Sequence, residues 1–183
     1  MKKKALIIVD VQNDFCPGGA LAAPDGDKVV PVINKLVDHF DYVLASKDWH
    51  PADTVHFQKW PVHCVAGTPG AEFHPDLRTD KIDQVLLKGT GNKDDGYSAF
   101  EATNVDLAEW LRQHDVQEVY VTGLTTEYCV KSTAMDAVKH GFDTWVIRDA
   151  VRPVNPADEE AAYRDMEAAG IHVVTSSEVL QPA

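Results

Sequence analysis

The sequence predicts an α/β protein, a three-layer sandwich around a central, mostly parallel six-stranded sheet. Three observations carry this. Apolar runs of strand length alternate with stretches of helical periodicity along the 183 residues. The first run, ALIIV, has no polar interruption, as a strand buried on both faces of a sheet requires. Helix ends are punctuated by Gly141, Gly170 and Asn155-Pro156.

The elements follow in order. Residues 4–11 form the first strand. Val29, Val30, Ile33, Leu36 and Val37 recur at helical spacing and predict a helix over 27–40. Residues 42–46 form the second strand. A long irregular stretch rich in Pro, Gly and His then covers about 48–81, and a loop of that length inside a compact domain is usually functional. Residues 85–87 lead into Lys88 as the third strand. Asn104 is predicted to cap a helix in which Leu107, Trp110 and Leu111 share a face. The fourth strand covers 118–122, and the next helix opens at Thr125 or Thr126 and stops at Gly141. A fifth strand over 142–147, a helix from Pro156 to Gly170 and a sixth strand over 171–174 complete the pattern.

Composition sets the outer bounds. Lys and Arg number 17 against 29 Asp and Glu, a formal net charge of −12. That argues against a nucleic-acid backbone or an anionic membrane as partner. No stretch approaches the roughly 20 apolar residues of a membrane span. The apolar run behind the lysines at 2–4 stops at Asp10, short of a secretory core of roughly 7–15 residues. Cys16, Cys64 and Cys129 read as reduced thiols of a cytoplasmic protein rather than as a disulfide framework. The chain reads as one domain over 1–183, and a homo-oligomer stays open.

Three of the predicted strands end at a reactive side chain. Asp10 follows ALIIV, Lys88 closes DQVLLK, and Cys129 lies just past VYVTGLTTEY. In an open parallel sheet, ligands bind outside the carboxyl ends of the strands, so an acid, an amine and a thiol converge there. Covalent thiol catalysis needs that set. Cys129 falls in the first turn of its helix, where free amides, the helix dipole and Lys88 are expected to favour the thiolate. The amides of Thr125 and Cys129 are placed for an oxyanion hole. Singly, each residue has an ordinary explanation: a buried inert cysteine, a strand-end aspartate capping a loop, a solvated lysine. Receiver domains share the strand-end aspartate and later lysine, but they usually carry a second acid where Val9 and Val11 flank Asp10 here.

A second constellation lies in DWHPADTVHFQKWPVHC. Asp48, His50, His56 and His63 suit one divalent transition metal ion: zinc, iron or manganese. Cys64 is set aside because its side chain would point away from that of His63 in an extended segment. His39, His74, His114, His140 and His172 receive no role, and GTGNKDDG lacks the order of a P-loop. An enzyme is the reading that uses both constellations.

These motifs resemble the isochorismatase-like cysteine hydrolases, in particular their nicotinamidase/pyrazinamidase branch. The matching stretches are IIVDVQNDFCPGGAL, DWHP, WPVHCVAGTPGAEFHP, LLKGT, DGYSAF and GLTTEYCV. The resemblance implies a Rossmann-type isochorismatase-like fold with Asp10, Lys88 and Cys129 as the catalytic triad. It implies Asp48, His50 and His63 as metal ligands, with His56 at the more variable fourth contact. Phe15, Leu21, Trp60 and Tyr97 are implied to line the pocket for a small aromatic amide, and the Leu124–Thr125 bond to be cis. Glu127 replaces the usual aspartate, and Thr125 the usual small apolar residue. The implied activity, in NAD salvage, converts nicotinamide to nicotinate and ammonia, and acts also on pyrazinamide, through a Cys129 thioester. Relatives that cleave a vinyl ether lack the cysteine, and the metal-ligand loop argues against N-carbamoyl substrates. A metallohydrolase using metal-bound water would tolerate Cys129→Ala. A binding module whose ion only staples the loop would leave the convergent triad unexplained.

Overall fold

The computed structural model describes residues 2–93 and 95–180. Its six strands are β1 (Lys3–Val9), β2 (Tyr42–Asp48), β3 (Gln84–Lys88), β4 (Val116–Leu124), β5 (Asp143–Arg152) and β6 (His172–Val174). They form one sheet in the order β3-β2-β1-β4-β5-β6, and every pairing is parallel.

The alternation of side chains along β1 builds both layers of the core. Ala5, Ile7 and Val9 face one helical layer, which comprises α2 (Leu107–Gln113), α3 (Lys131–Lys139) and α4 (Glu159–Ala168). Leu6 and Ile8 face the other, formed by α1 (Val29–Leu36) and the short α5 (Ser176–Leu180). All five β1 side chains are fully buried, and each large one contributes roughly 1.5–3 kcal/mol of hydrophobic stabilisation. This is the predicted three-layer α/β sandwich. Among the described residues, no helix is long and apolar enough to cross a membrane.

The strand order reverses between β1 and β4, so the crevice at the sheet's carboxyl edge opens beside those two strands. Gly123 lets them meet there. Its φ is 110°, and a Cβ at that position would overlap the Val9 backbone. Beyond the sheet edge, the stretch between β2 and β3 folds as irregular chain with 3-10 turns at Val55–Gln58, Pro69–Ala71 and Thr79–Lys81.

Several local expectations shift. The helix over 27–40 is α1 extended by 3-10 turns at Gly26–Lys28 and Val37–His39. Asp106, not Asn104, caps α2, its side chain accepting from the Glu109 amide at 3.2 Å. Asn104 instead prolongs the edge of β3, accepting from the Leu87 amide at 2.8 Å and donating to the Val85 carbonyl at 3.0 Å. Strand β5 runs five residues past 147, to Arg152. The helix after β4 begins as a π-turn over Thr126–Val130 and becomes α3 only at Lys131.

Candidate active site

Asp10, Lys88 and Cys129 meet at the carboxyl edge of the sheet. Lys88 ends β3 with its side chain fully buried, and its Nζ lies 2.7 Å from Asp10 Oδ2 and 3.5 Å from Cys129 Sγ. Two further acceptors surround the ammonium at 2.6 Å, Asp48 Oδ1 and the Gly96 carbonyl. Asp10 follows β1 with a left-handed φ of 50°, a conformation that a non-glycine residue adopts sparingly. The Ser46 hydroxyl donates to Asp10 Oδ1 at 2.8 Å and fixes the carboxylate's rotation.

Burial and charge set the protonation states. Burial drives the Asp10 carboxyl up to about 6, with the nearby Asp48 charge adding and Lys88 opposing. Burial also favours neutral Lys88, but the Asp10 and Asp48 carboxylates overcome it and hold the amine well above its ordinary range. The Cys129 thiol is pushed well up by burial, with Lys88 opposing and Asp10 and Asp48 adding. This corrects the expectation of a resting thiolate. Burial outweighs the Lys88 charge and favours the neutral Cys129 thiol. Such a nucleophile needs a base, and Asp10 is in place to be one.

The histidines gather beside Asp48. His50, His56 and His63 are buried, with one ring nitrogen from each lying within 4.8 Å of the others, a grouping able to hold a metal ion. His50 Nδ1–H donates to the Gly89 carbonyl at 2.9 Å and His63 Nδ1–H to the Pro61 carbonyl at 2.6 Å. Those bonds leave the Nε2 lone pairs facing the cluster. Among the described residues His50 Nε2 is buried with no hydrogen-bond partner, as suits an atom that donates its lone pair to a cation. Burial lowers the His63 pKa and favours its neutral, ligating form. Asp48 Oδ2 lies 3.5 Å from His50 Nε2 and 3.9 Å from His63 Nε2. Burial opposes ionisation of Asp48, yet the Lys88 ammonium holds its carboxyl below the usual range. Three imidazoles and one ionised carboxylate fit a divalent transition metal. Cys64 stays outside this group. Its backbone is left-handed, with φ 48°, rather than extended, and its thiol faces the Gly70 carbonyl at 3.9 Å.

One pocket is lined by residues of both constellations. Cys129 and Thr125 line it together with Asp48, His56 and His63, and Phe15, Leu21, Trp60 and Tyr97 complete its walls. Trp60 Nε1–H donates to the Tyr97 hydroxyl at 2.9 Å, which joins two of these walls. The Leu124–Thr125 peptide is cis. Glu127 accepts from the Val154 and Asn155 amides at 2.8 and 2.9 Å, tying the Cys129 turn to the segment after β5.

Four contributors were not singled out from the sequence. Tyr128 and Val154 line the cavity, Ser46 orients Asp10, and Gln12 binds the Asp48 backbone. Tyr128 had a signal, adjacency to Cys129 on a helical turn. Val154 is brought in by the unpredicted extension of β5, and Ser46 and Gln12 act on Asp10 and Asp48, partners distant in sequence.

Comparison with known proteins places these features in a family. The Isochorismatase domain profile matches residues 4–178. A nicotinamidase of Escherichia coli (strain K12) is 41% identical over 204 aligned positions, which cover 96% of each chain. The structure of a pyrazinamidase of Pyrococcus horikoshii, solved in complex with zinc, superposes with a TM-score of 0.87 at 45% identity, covering 94% of this chain and 99% of that one. PnC1 from L. infantum, solved in complex with nicotinate, superposes with a TM-score of 0.91 at 36% identity, over 96% of this chain and 94% of that one. With the profile spanning nearly the whole sequence and such relatives aligned end to end, the chain belongs to the isochorismatase family, within its nicotinamidase/pyrazinamidase branch.

Proposed function

We propose that this protein hydrolyses nicotinamide to nicotinate and ammonia, and pyrazinamide likewise, through a thioester on Cys129. The observation that carries this is the position of Lys88 Nζ, within 3.5 Å of Asp10, Asp48 and Cys129 together, beside a pocket that Cys129 lines with Phe15, Trp60 and Tyr97.

Asp10 takes the proton of the Cys129 thiol as sulfur attacks the carboxamide carbon. The oxyanion that forms is met by the backbone amides of Thr125 and Cys129. Asp10 then gives its proton to the departing amide nitrogen, the C–N bond breaks, and ammonia leaves. Water attacks the nicotinoyl thioester while Asp10 accepts its proton. Collapse breaks the C–S bond, releases nicotinate and returns a proton to sulfur. Lys88 holds the Asp10 charge and the sulfur in one field throughout. Its ammonium keeps the carboxylate ionised enough to act as base, while burial keeps it basic enough to accept.

Asp48, His50, His56 and His63 would hold one divalent metal, zinc by the ligand chemistry, with iron or manganese able to fill the same set. When bound, such an ion supplies a Lewis-acidic anchor for the ring nitrogen. Phe15, Leu21, Trp60 and Tyr97 enclose the flat ring and fix the carboxamide over Cys129. The reaction serves NAD salvage in the cytoplasm, where Cys16, Cys64 and Cys129 stay reduced.

The test is intact-protein mass measurement after acid quenching of a reaction with excess nicotinamide. A nicotinoyl adduct that maps to Cys129 and is absent from Cys129→Ala is the expected result. Turnover by Cys129→Ala would overturn the covalent route.

A further inference from the structure

We infer that Gln12 is a positioning residue for the metal site, a clamp that sets the Asp48 backbone so that its carboxylate can serve the histidine cluster and Lys88 together. The inference rests on the metal reading given above. Gln12 is fully buried, and its amide group is engaged at both ends. Oε1 accepts from the Asp48 amide at 2.9 Å, and Nε2 donates to the Asp48 carbonyl at 2.9 Å. The second Nε2 proton goes to the Ala71 carbonyl, also at 2.9 Å. One side chain thus grips both backbone polar groups of Asp48, as a neighbouring strand would, just where β2 ends and its pairing with β1 runs out.

The same residue is anchored to the catalytic edge. Its backbone amide donates to the Asp10 carbonyl at 2.8 Å, so the turn that aims Asp10 also carries the clamp on Asp48. The Ala71 arm reaches the loop that returns from His63. That loop is held separately, where Asp14 accepts from the Cys64 amide at 2.7 Å. A glutamine suits the position because it alone offers one acceptor and two donors in a neutral, planar group of this reach. Residues that orient metal ligands in this way typically govern affinity by about 10–100-fold.

The experiment measures zinc affinity by competition with a chromophoric chelator, on metal-stripped wild type, Gln12→Met and Gln12→Glu. Methionine keeps the volume without the hydrogen bonds, and glutamate sets an acceptor against the Asp48 and Ala71 carbonyls. Both variants should bind zinc about 10–100-fold more weakly than wild type. A purely structural role would lower the melting temperature of the metal-free protein and leave zinc affinity within twofold, which would overturn the inference. Failure of wild type to take up zinc would overturn the metal reading, and the clamp with it. Should neither variant fold, nuclear magnetic resonance of wild type decides. Zinc should slow exchange of the Gln12 side-chain amide protons, and an unchanged rate would overturn the inference.

Discussion

The ammonium of Lys88 lies 2.6 Å from a carboxylate oxygen of Asp48, so the acid that borders the histidine cluster is also a partner of the amine that holds Asp10 and Cys129. The nucleophile and the carboxylate beside the histidine cluster share one buried network. Lys88 has three N–H donors, and Asp10, Asp48 and the Gly96 carbonyl all lie within 2.7 Å of its nitrogen. The sulfur, at 3.5 Å, takes its share electrostatically.

Removing that amine should therefore damage both folding and chemistry. Lys88→Met leaves two buried carboxylates without their partner, and breaking a buried pair in this way costs about 3–5 kcal/mol. Urea titration should report a loss of that order. Ammonia release should fall by at least about 10²-fold, the scale of losing one electrostatic stabiliser. A variant as stable and as active as wild type would contradict the network.

The pH profile should report Asp10. Its carboxyl titrates at about 6, and only the carboxylate can take the Cys129 proton. kcat/KM for nicotinamide should therefore climb as pH rises through about 6 and level off above it, where Asp10 is ionised. An acid limb near 4, the ordinary carboxylate range, would mean that burial does not govern the base.

Metal removal should act on stability as well as turnover. Dialysis against a strong chelator should abolish ammonia release, and one equivalent of zinc should restore it. Zinc at 100 times its dissociation constant should stabilise the fold by about 2.7 kcal/mol, read as a rise in melting temperature. His50→Ala should lose most of that rise. An equal rise in the variant would place the ion elsewhere.

Much of this site was legible in the sequence because its key residues sit at the ends of uninterrupted apolar runs. ALIIV before Asp10 and QVLL before Lys88 could only be strands of a buried sheet, and strand ends share an edge. The Asp48-to-His63 loop was legible from residue type, since few other arrangements place an aspartate and three histidines in sixteen positions. What was hidden depended on partners distant in sequence. Asn104 has the chemistry of a cap, but β3 lies close enough to claim its side chain. The charge state of Cys129 was misread because helix position is a local property, whereas burial is decided by the whole fold. Helix α5 has five residues, too few for a period. Gln12 looks like a polar residue closing a strand until Asp48 is beside it.

Glycine chemistry gives a further check on the histidine cluster. Gly89 has φ 65°, its carbonyl accepts from His50, and a Cβ there would collide with the His50 ring. Gly89→Ala should cost more than about 1 kcal/mol and weaken zinc binding measurably in a competition titration. Gly67 has φ 80° but open space around its Cβ position. Gly67→Ala should carry the backbone strain alone and keep wild-type zinc affinity. Equal effects of the two substitutions on zinc binding would contradict the contact.

The most direct measurement is ammonia release from nicotinamide by the zinc-loaded protein beside its Cys129→Ala variant. The account predicts steady release by the wild type and none above background by the variant, with both holding the same amount of zinc. Release by the variant at a comparable rate would contradict it, and would move the attacking group from the Cys129 sulfur to water.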